Sequence, residues 1–191
     1  MNRGQYYLAQ FGRGSERRLS LSLLLDPSDL PGIAWKIIGE RSWRVGKDDQ
    51  RDAASLRAKR SGAFVAMRSF EQRETSRWAI LKVIPMVSSE DALLVLPETK
   101  FTLITAPKSH AVFEAERSID LDLDLGLSNV KATEIVAFEL NKVATYRIVV
   151  GAVDSVIAAI CCSGWGDGWT WSEIQVVATA QVRKIRSIAS N

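Results

Sequence analysis

The sequence predicts an α+β domain: a single, mainly antiparallel sheet of about seven or eight strands packed by three helices. Three observations point there. A hairpin followed by a capped helix occurs twice, over residues 63–96 and 145–189, and the caps Ser88 and Thr170 lie 82 residues apart. The two strands of the first hairpin carry apolar residues on both parities, so they want cover on both faces. No strand–helix–strand rhythm marks a doubly wound parallel sheet.

Taken in order, residues 1–18 read as an arm and residues 19–191 as the domain. The arm interleaves Tyr6, Tyr7 and Phe11 with Arg3, Arg13, Arg17 and Arg18, and fits no period. From Arg18 to Leu25, leucines at 19, 21, 23 and 25 alternate mainly with serine, which argues for a strand. Asp26-Pro27-Ser28-Asp29 and Pro31-Gly32 are turn chemistry. Ile33 to Val45 reads as a strand with Trp35, Ile37 and Trp43 inward. Asp48-Asp49 opens a helix that Gly62 stops. Ala63–Glu71 and Arg77–Met86 form a hairpin. A helix starts at Ser88, whose hydroxyl can accept from the amide of Asp91, and it ends near Leu96 before Pro97. A short strand fits Phe101–Thr105, and longer ones fit Ala111–Leu125 and Val130–Leu140. Thr145–Val150 and Ser155–Cys162 make the second hairpin, turning over Gly151–Asp154. Ser163–Gly168 reads as a glycine-rich loop whose glycines permit positive φ. Thr170-Trp171-Ser172-Glu173 is a capping box. The helix behind it carries Ile174, Val177, Ala178, Val182, Ile185 and Ala189 on one stripe, with Arg183, Lys184 and Arg186 toward its negative end.

Composition narrows the function classes. The chain has 191 residues, 47% hydrophobic and 25% charged, which suits one domain with its own core and excludes wholesale disorder. No apolar run is long enough for a signal-peptide core or a membrane span. The two cysteines are adjacent, and neighbouring Cα atoms about 3.8 Å apart make a disulfide between them strained. A cytoplasmic protein with reduced thiols is expected. Net charge is only +3, yet residues 41–82 hold 11 Lys/Arg against 5 Asp/Glu, and residues 111–141 hold 2 against 7. Nucleic acid is therefore a weak expectation, through the 41–82 block alone.

Several stretches invite a chemical reading. Asp120, Asp122 and Asp124 alternate like the start of a calcium loop, but Leu125 stands where glycine should and Lys131 where the closing glutamate should. The alternating leucines favour an acidic strand. Ser163–Gly168 lies before a helix N-terminus, where phosphate loops lie. Its spacing matches none of them, and Asp167 would repel phosphate. Trp165, Trp169 and Trp171 fall within seven residues, so they pack the loop onto the sheet or, with Asp167, form an aromatic binding lip. Cys161 and Cys162 lie on a strand, one to each side, with no histidine near in sequence. His110 is the single histidine and completes no zinc spacing or hydrolase motif. Arg57, Lys59, Arg60, Arg68, Arg73 and Arg77 could line a basic face, interleaved with Phe64, Phe70 and Trp78.

Some phrases are familiar together: Asp29-Leu30-Pro31-Gly32 leading to Ser42-Trp43-Arg44, Arg68-Ser69-Phe70-Glu71, Val83-Ile84-Pro85-Met86 before Ser89-Glu90-Asp91-Ala92, and Cys162-Ser163-Gly164 with Gly166-Asp167 and Trp171. In patches over residues 19–189 the chain resembles a group of uncharacterised actinobacterial α+β proteins. Its order of elements is similar to the PsbP-like α/β/α sandwich. The resemblance implies a fold and brings no site residues with it.

The reading these features favour is a non-enzymatic protein-interaction or ligand-binding module. It has no cofactor, no metal and no catalytic residue to name. Its partner is another protein or a second copy of the chain, engaged through Tyr6, Tyr7 and Phe11 of the arm, and a small molecule is the further option. The alternatives are an enzyme with an unfamiliar site near the Cys161–Gly168 loop, or a binder of anionic surfaces or nucleic acid through residues 41–82.

Overall fold

The computed structural model describes residues 13–44, 64–96, 112–120, 126–139, 141–166 and 168–189. The chain runs α1 (Arg13–Ser22), a 3-10 turn (Pro27–Asp29), β1 (Lys36–Arg44), β2 (Phe64–Gln72), a 3-10 turn (Arg73–Thr75), β3 (Arg77–Pro85) and α2 (Ser89–Val95). It continues through β4 (Val112–Ile119), β5 (Ser128–Glu139), β6 (Lys142–Val153), β7 (Val156–Trp165) and α3 (Trp171–Ala189). The seven strands form one sheet in the order β1-β2-β3-β7-β6-β5-β4, antiparallel at every pairing. The three described helices complete the α+β architecture.

The strands are apolar on both parities because both faces are covered over the middle of the sheet. Phe70, Leu81, Val149, Ala158, Ile160 and Cys162 belong to a core on the first face, with Leu24 beside α1 and Ile174, Val177 and Val182 of α3. Val65, Ile84, Ile148, Ile157, Ala159 and Cys161 form a second core on the opposite face, closed by Ala92 and Leu96 at α2. The two adjacent cysteines therefore face opposite sides, as their place on a strand requires. Ala158 and Ala159 leave room for covering helices at the centre of the sheet.

Both predicted caps form. Asp91 N donates to Ser88 Oγ at 3.0 Å. Thr170 N donates to Glu173 Oε2 at 2.8 Å while Glu173 N donates to Thr170 Oγ1 at 3.2 Å, which is the reciprocal capping box. Both hairpins also form, and the second turns more tightly than expected. Val153 pairs Val156, so Asp154 and Ser155 alone make the turn, with Asp154 at φ 51°.

Other expectations are corrected. Arg18–Leu25 is not a strand: α1 runs to Ser22 and Leu23–Leu25 leave it as a buried turn. Leucine favours helix, and Ser20, Leu23 and Leu24 fall at helical spacing and are all buried. Helix α1 spans Arg13–Ser22, on both sides of residue 18. Strand β1 begins at Lys36, and Ile37 points outward, 43% exposed, beside a bulge between Ile37 and Gly39. Trp35 is buried as predicted, while Trp43 is half-buried. Strand β4 runs to Ile119 and Asp120 is exposed beyond it, while the rest of the acidic alternation, residues 121–125, lies outside the described residues. The Asp48–Gly62 helix, the Phe101–Thr105 strand, His110, Asp122 and Asp124 lie outside the described residues.

The Ser163–Gly168 stretch is corrected as well. Strand β7 continues through Trp165, so only its end is loop. Gly166 uses positive φ, at 61°, as the loop reading required. Gly164 and Gly168 are glycine for a different reason. A Cβ on Gly168 would stand 2.9 Å from the Cα of Gly164, so the two backbones cross too closely for a side chain.

Candidate binding surface

On the first face, tryptophan and arginine are used as structural parts. Trp35 lies 5.4 Å from Trp169, centroid to centroid. Their indoles donate to Pro31 O at 2.8 Å and Ser163 O at 3.1 Å. Trp169 is fully buried, and the Arg77 guanidinium lies 4.0 Å over its ring. Arg77 NH2 reaches Glu173 Oε1 at 2.7 Å, an ion pair off the hydrogen-bond axis and so electrostatic more than directional. Burial pushes the Glu173 carboxyl upward, but the Thr170 amide and Arg77 outweigh it and hold the group below its ordinary range.

Next along the same face, Glu134 is 4% exposed. Arg117 Nε and Arg147 Nε donate to its two oxygens, each at 2.9 Å, and the Arg117 NH2 group also binds it. Burial alone would raise its carboxyl, and the two guanidinium groups together bring it below the usual range. Arg147 also lies 5.8 Å from the Trp171 ring. Trp171 is half-buried on this face.

The second face differs. Helix α2 covers it at the Ile84, Ala152 and Ile157 end, and the other end carries half-buried aromatic and basic side chains. Register explains the grouping. Ser163 lies opposite Trp78 in β3 and opposite Tyr146 in β6, so Trp165, two residues on, is the diagonal neighbour of Trp78. Their rings meet edge to face, 5.7 Å apart at 89°, the arrangement that aromatic quadrupoles favour. Lys142 Nζ stands 5.6 Å from the Trp165 ring and Lys82 Nζ 5.9 Å from the Trp43 ring. Met67 lies between Arg41 and Lys82 across the three outer strands. Lys82 and Tyr146 make further contacts besides these.

The structure thus does not bring the three expected tryptophans together. Trp169 is core, Trp171 lies on the first face, and Trp165 alone belongs to the second. Asp167 lies outside the described residues, as do Tyr6, Tyr7 and Phe11 of the arm. What the sequence reading missed is Tyr146, the outward orientation of Trp43, and the pairing of Trp78, expected with the basic block, to Trp165. Only strand register shows that Trp78 and Trp165, 87 positions apart, are neighbours.

The basic block divides likewise. Arg68 and Arg77 are committed to ion pairs on the first face, and Arg73 pairs with Glu71. Arg41 and Lys82 stand on the second face by register. Lys47, Arg51, Arg57, Lys59 and Arg60 lie outside the described residues. The described members therefore form no continuous basic track.

Cys161 is pushed up to about 12 by burial, and Cys162 well above its ordinary value, again chiefly by burial. Neither thiol is poised as a nucleophile at neutral pH. Among the described residues no group of three His, Cys, Asp or Glu could hold a metal ion. None of the described helices is long and apolar enough to cross a membrane.

No family model matches this chain, and no curated protein matches it. Among solved structures it is similar to the extracellular domain of PknH from Mycobacterium tuberculosis, at 10% identity and a TM-score of 0.57, over 90% of this chain and 96% of that one. At that identity the likeness concerns the fold alone.

Proposed function

We propose that this protein is a non-enzymatic binding module that docks a partner protein on the end of the second sheet face that none of the described helices covers. The observation that carries this reading is the half-buried aromatic group Trp43, Trp78, Tyr146 and Trp165, with Lys82 and Lys142 beside two of the rings. Aromatic side chains supply large contact area at low entropy cost, and they dominate binding energy at interfaces. Arg41, Lys82 and Lys142 stand around the rings, with Glu71 opposite Trp78 paired to Arg73 and Glu139 opposite Lys142, and the cations beside two of the rings favour an acidic partner segment with apolar side chains. Such a segment lays its apolar groups on the indoles and its carboxylates on the lysines. An enzymatic site around Cys161–Gly168 has less support, because both thiols are buried and neutral. A cytoplasmic location goes with this reading, supported by the two free thiols. A PsbP-like arrangement is supported by helices on both faces of the sheet.

A synthetic peptide alternating Asp with Leu and Phe tests the surface. Its titration into the full chain should shift tryptophan emission, and the affinity should fall as salt rises. Trp78→Ala and Trp165→Ala should each weaken binding at least tenfold. Equal affinity in both variants and the parent would overturn the reading.

A further inference from the structure

A second, chemically different site lies on the first face. A cleft of about 410 Å³ opens where the C-terminal ends of α1 and α3 come together, lined by Leu21, Leu24 and Ile188 and by Asp26, Arg68 and Lys184. That volume is in the range of small-molecule sites, roughly 300–1,000 Å³. Arg68 comes from β2, and its side chain is only 10% exposed. Its guanidinium is fixed on three sides. Nε donates to Glu40 Oε2 at 2.7 Å, and NH1 donates to Leu25 O at 2.6 Å and to Asp26 Oδ1 at 2.9 Å. Lys184 Nζ from α3 donates to the other oxygen, Asp26 Oδ2, at 3.0 Å.

Asp26 thus places one carboxylate across two cations, one oxygen on each, at the cleft. Its side chain is the most exposed of the three, at 51%, although a capping box with Asp29 also holds it on the 3-10 turn. With Asp26 turned outward, the cleft would present Arg68 and Lys184 with Glu40 as the remaining carboxylate on Arg68 among the described residues, next to three aliphatic side chains. A guanidinium held by Glu40 and a backbone carbonyl needs no further ordering to receive an anion, and that pre-organisation favours binding.

We propose that this cleft binds a small amphiphilic carboxylic acid. Its carboxylate replaces that of Asp26 between Arg68 and Lys184, and its short alkyl body lies on Leu21, Leu24 and Ile188. The aliphatic wall disfavours inorganic anions, which gain nothing from it. The paired cations disfavour neutral or amine-headed analogues, which leave them without an exchanged carboxylate. Asp26 acts as an internal competitor that keeps the cations paired when no ligand is present.

Octanoate is the probe, titrated into the full chain by calorimetry or ligand-observed NMR. Octanoate should bind at one site, with octan-1-ol and octylamine at least tenfold weaker. Asp26→Asn removes the competing charge and should tighten octanoate at least tenfold. Lys184→Met, at a partly exposed position where folding is little affected, should weaken it at least tenfold. The proposal is overturned if octylamine matches octanoate, if Lys184→Met leaves the affinity unchanged, or if a folded Asp26→Asn binds no more tightly. Trp78→Ala should leave octanoate binding unchanged, so this site and the aromatic surface fail or stand separately.

Discussion

Glu134→Gln examines the charge chain on the first face. The substitution keeps the shape and removes the charge that faces Arg147, whose side chain is 12% exposed. Removing one member of a buried ion pair costs about 3–5 kcal/mol, because the other stays buried and uncompensated. The contact of Arg147 with the Trp171 ring is common to parent and variant and leaves the difference unchanged, so the low end of that range is taken. The bond from Arg117 adds little, since that side chain is 68% exposed, and such pairs are worth about 0–1 kcal/mol. The expected loss is about 3 kcal/mol for Glu134→Gln and under about 1 kcal/mol for Arg117→Ala. Urea unfolding followed by circular dichroism reads both. With a slope of about 2–3 kcal/mol/M, the Glu134→Gln midpoint should drop by about 1–1.5 M at unchanged slope. Pairing Glu134→Leu with Arg147→Met should recover much of the loss, since two apolar side chains leave no charge stranded. A Glu134→Gln midpoint no lower than that of Arg117→Ala would refute the account of Glu134 as the buried anchor of Arg147.

Acid should destabilise the fold in a defined direction. The Asp26, Glu134 and Glu173 carboxyls are all held below their ordinary values in the folded chain, Asp26 chiefly by Lys184. The unfolded state therefore takes up protons first. The stability these groups contribute is present above about pH 4–5 and is lost as pH falls through the folded values. Thermal midpoints should be level near neutrality and decline below about pH 4–5, and a midpoint unchanged into strong acid would count against these pairs. Both thiols are buried and neutral, so a thiol-colouring disulfide reagent should react slowly with the native chain and rapidly in denaturant. Fast native reaction would contradict the burial of β7. Gly168→Ala forces a Cβ to within 2.9 Å of Gly164 and should cost about 1–3 kcal/mol, measurable as a lower urea midpoint. Gly166→Ala, with open space around its Cβ, meets only the cost of positive φ, about 1 kcal/mol. A Gly168→Ala midpoint above that of Gly166→Ala would show that the backbones do not cross so closely.

Local chemistry alone was enough for much of this molecule. The caps at Ser88 and Thr170, both hairpins, the stripe of α3 and the two-sided cover of the sheet follow from hydrogen-bond and burial requirements within a few residues. Such requirements hold wherever the segment ends up. Around Arg18–Leu25 local chemistry was ambiguous, because a leucine-serine alternation suits a strand by period and a helix by propensity. Burial of Ser20, Leu23 and Leu24 against the sheet decided for the helix. Three things belonged to tertiary structure alone. Strand order put Trp78 beside Trp165 and sent Trp169 and Trp171 to the opposite face. The crossing of Gly164 and Gly168 explained glycines that turn chemistry could not. The approach of α3 to the start of the chain brought Lys184 to Asp26, 158 residues away. The first and third are contacts between segments distant along the chain and the second is a close backbone approach across a four-residue loop, and no local pattern encodes the register, crossing or packing angle that creates them.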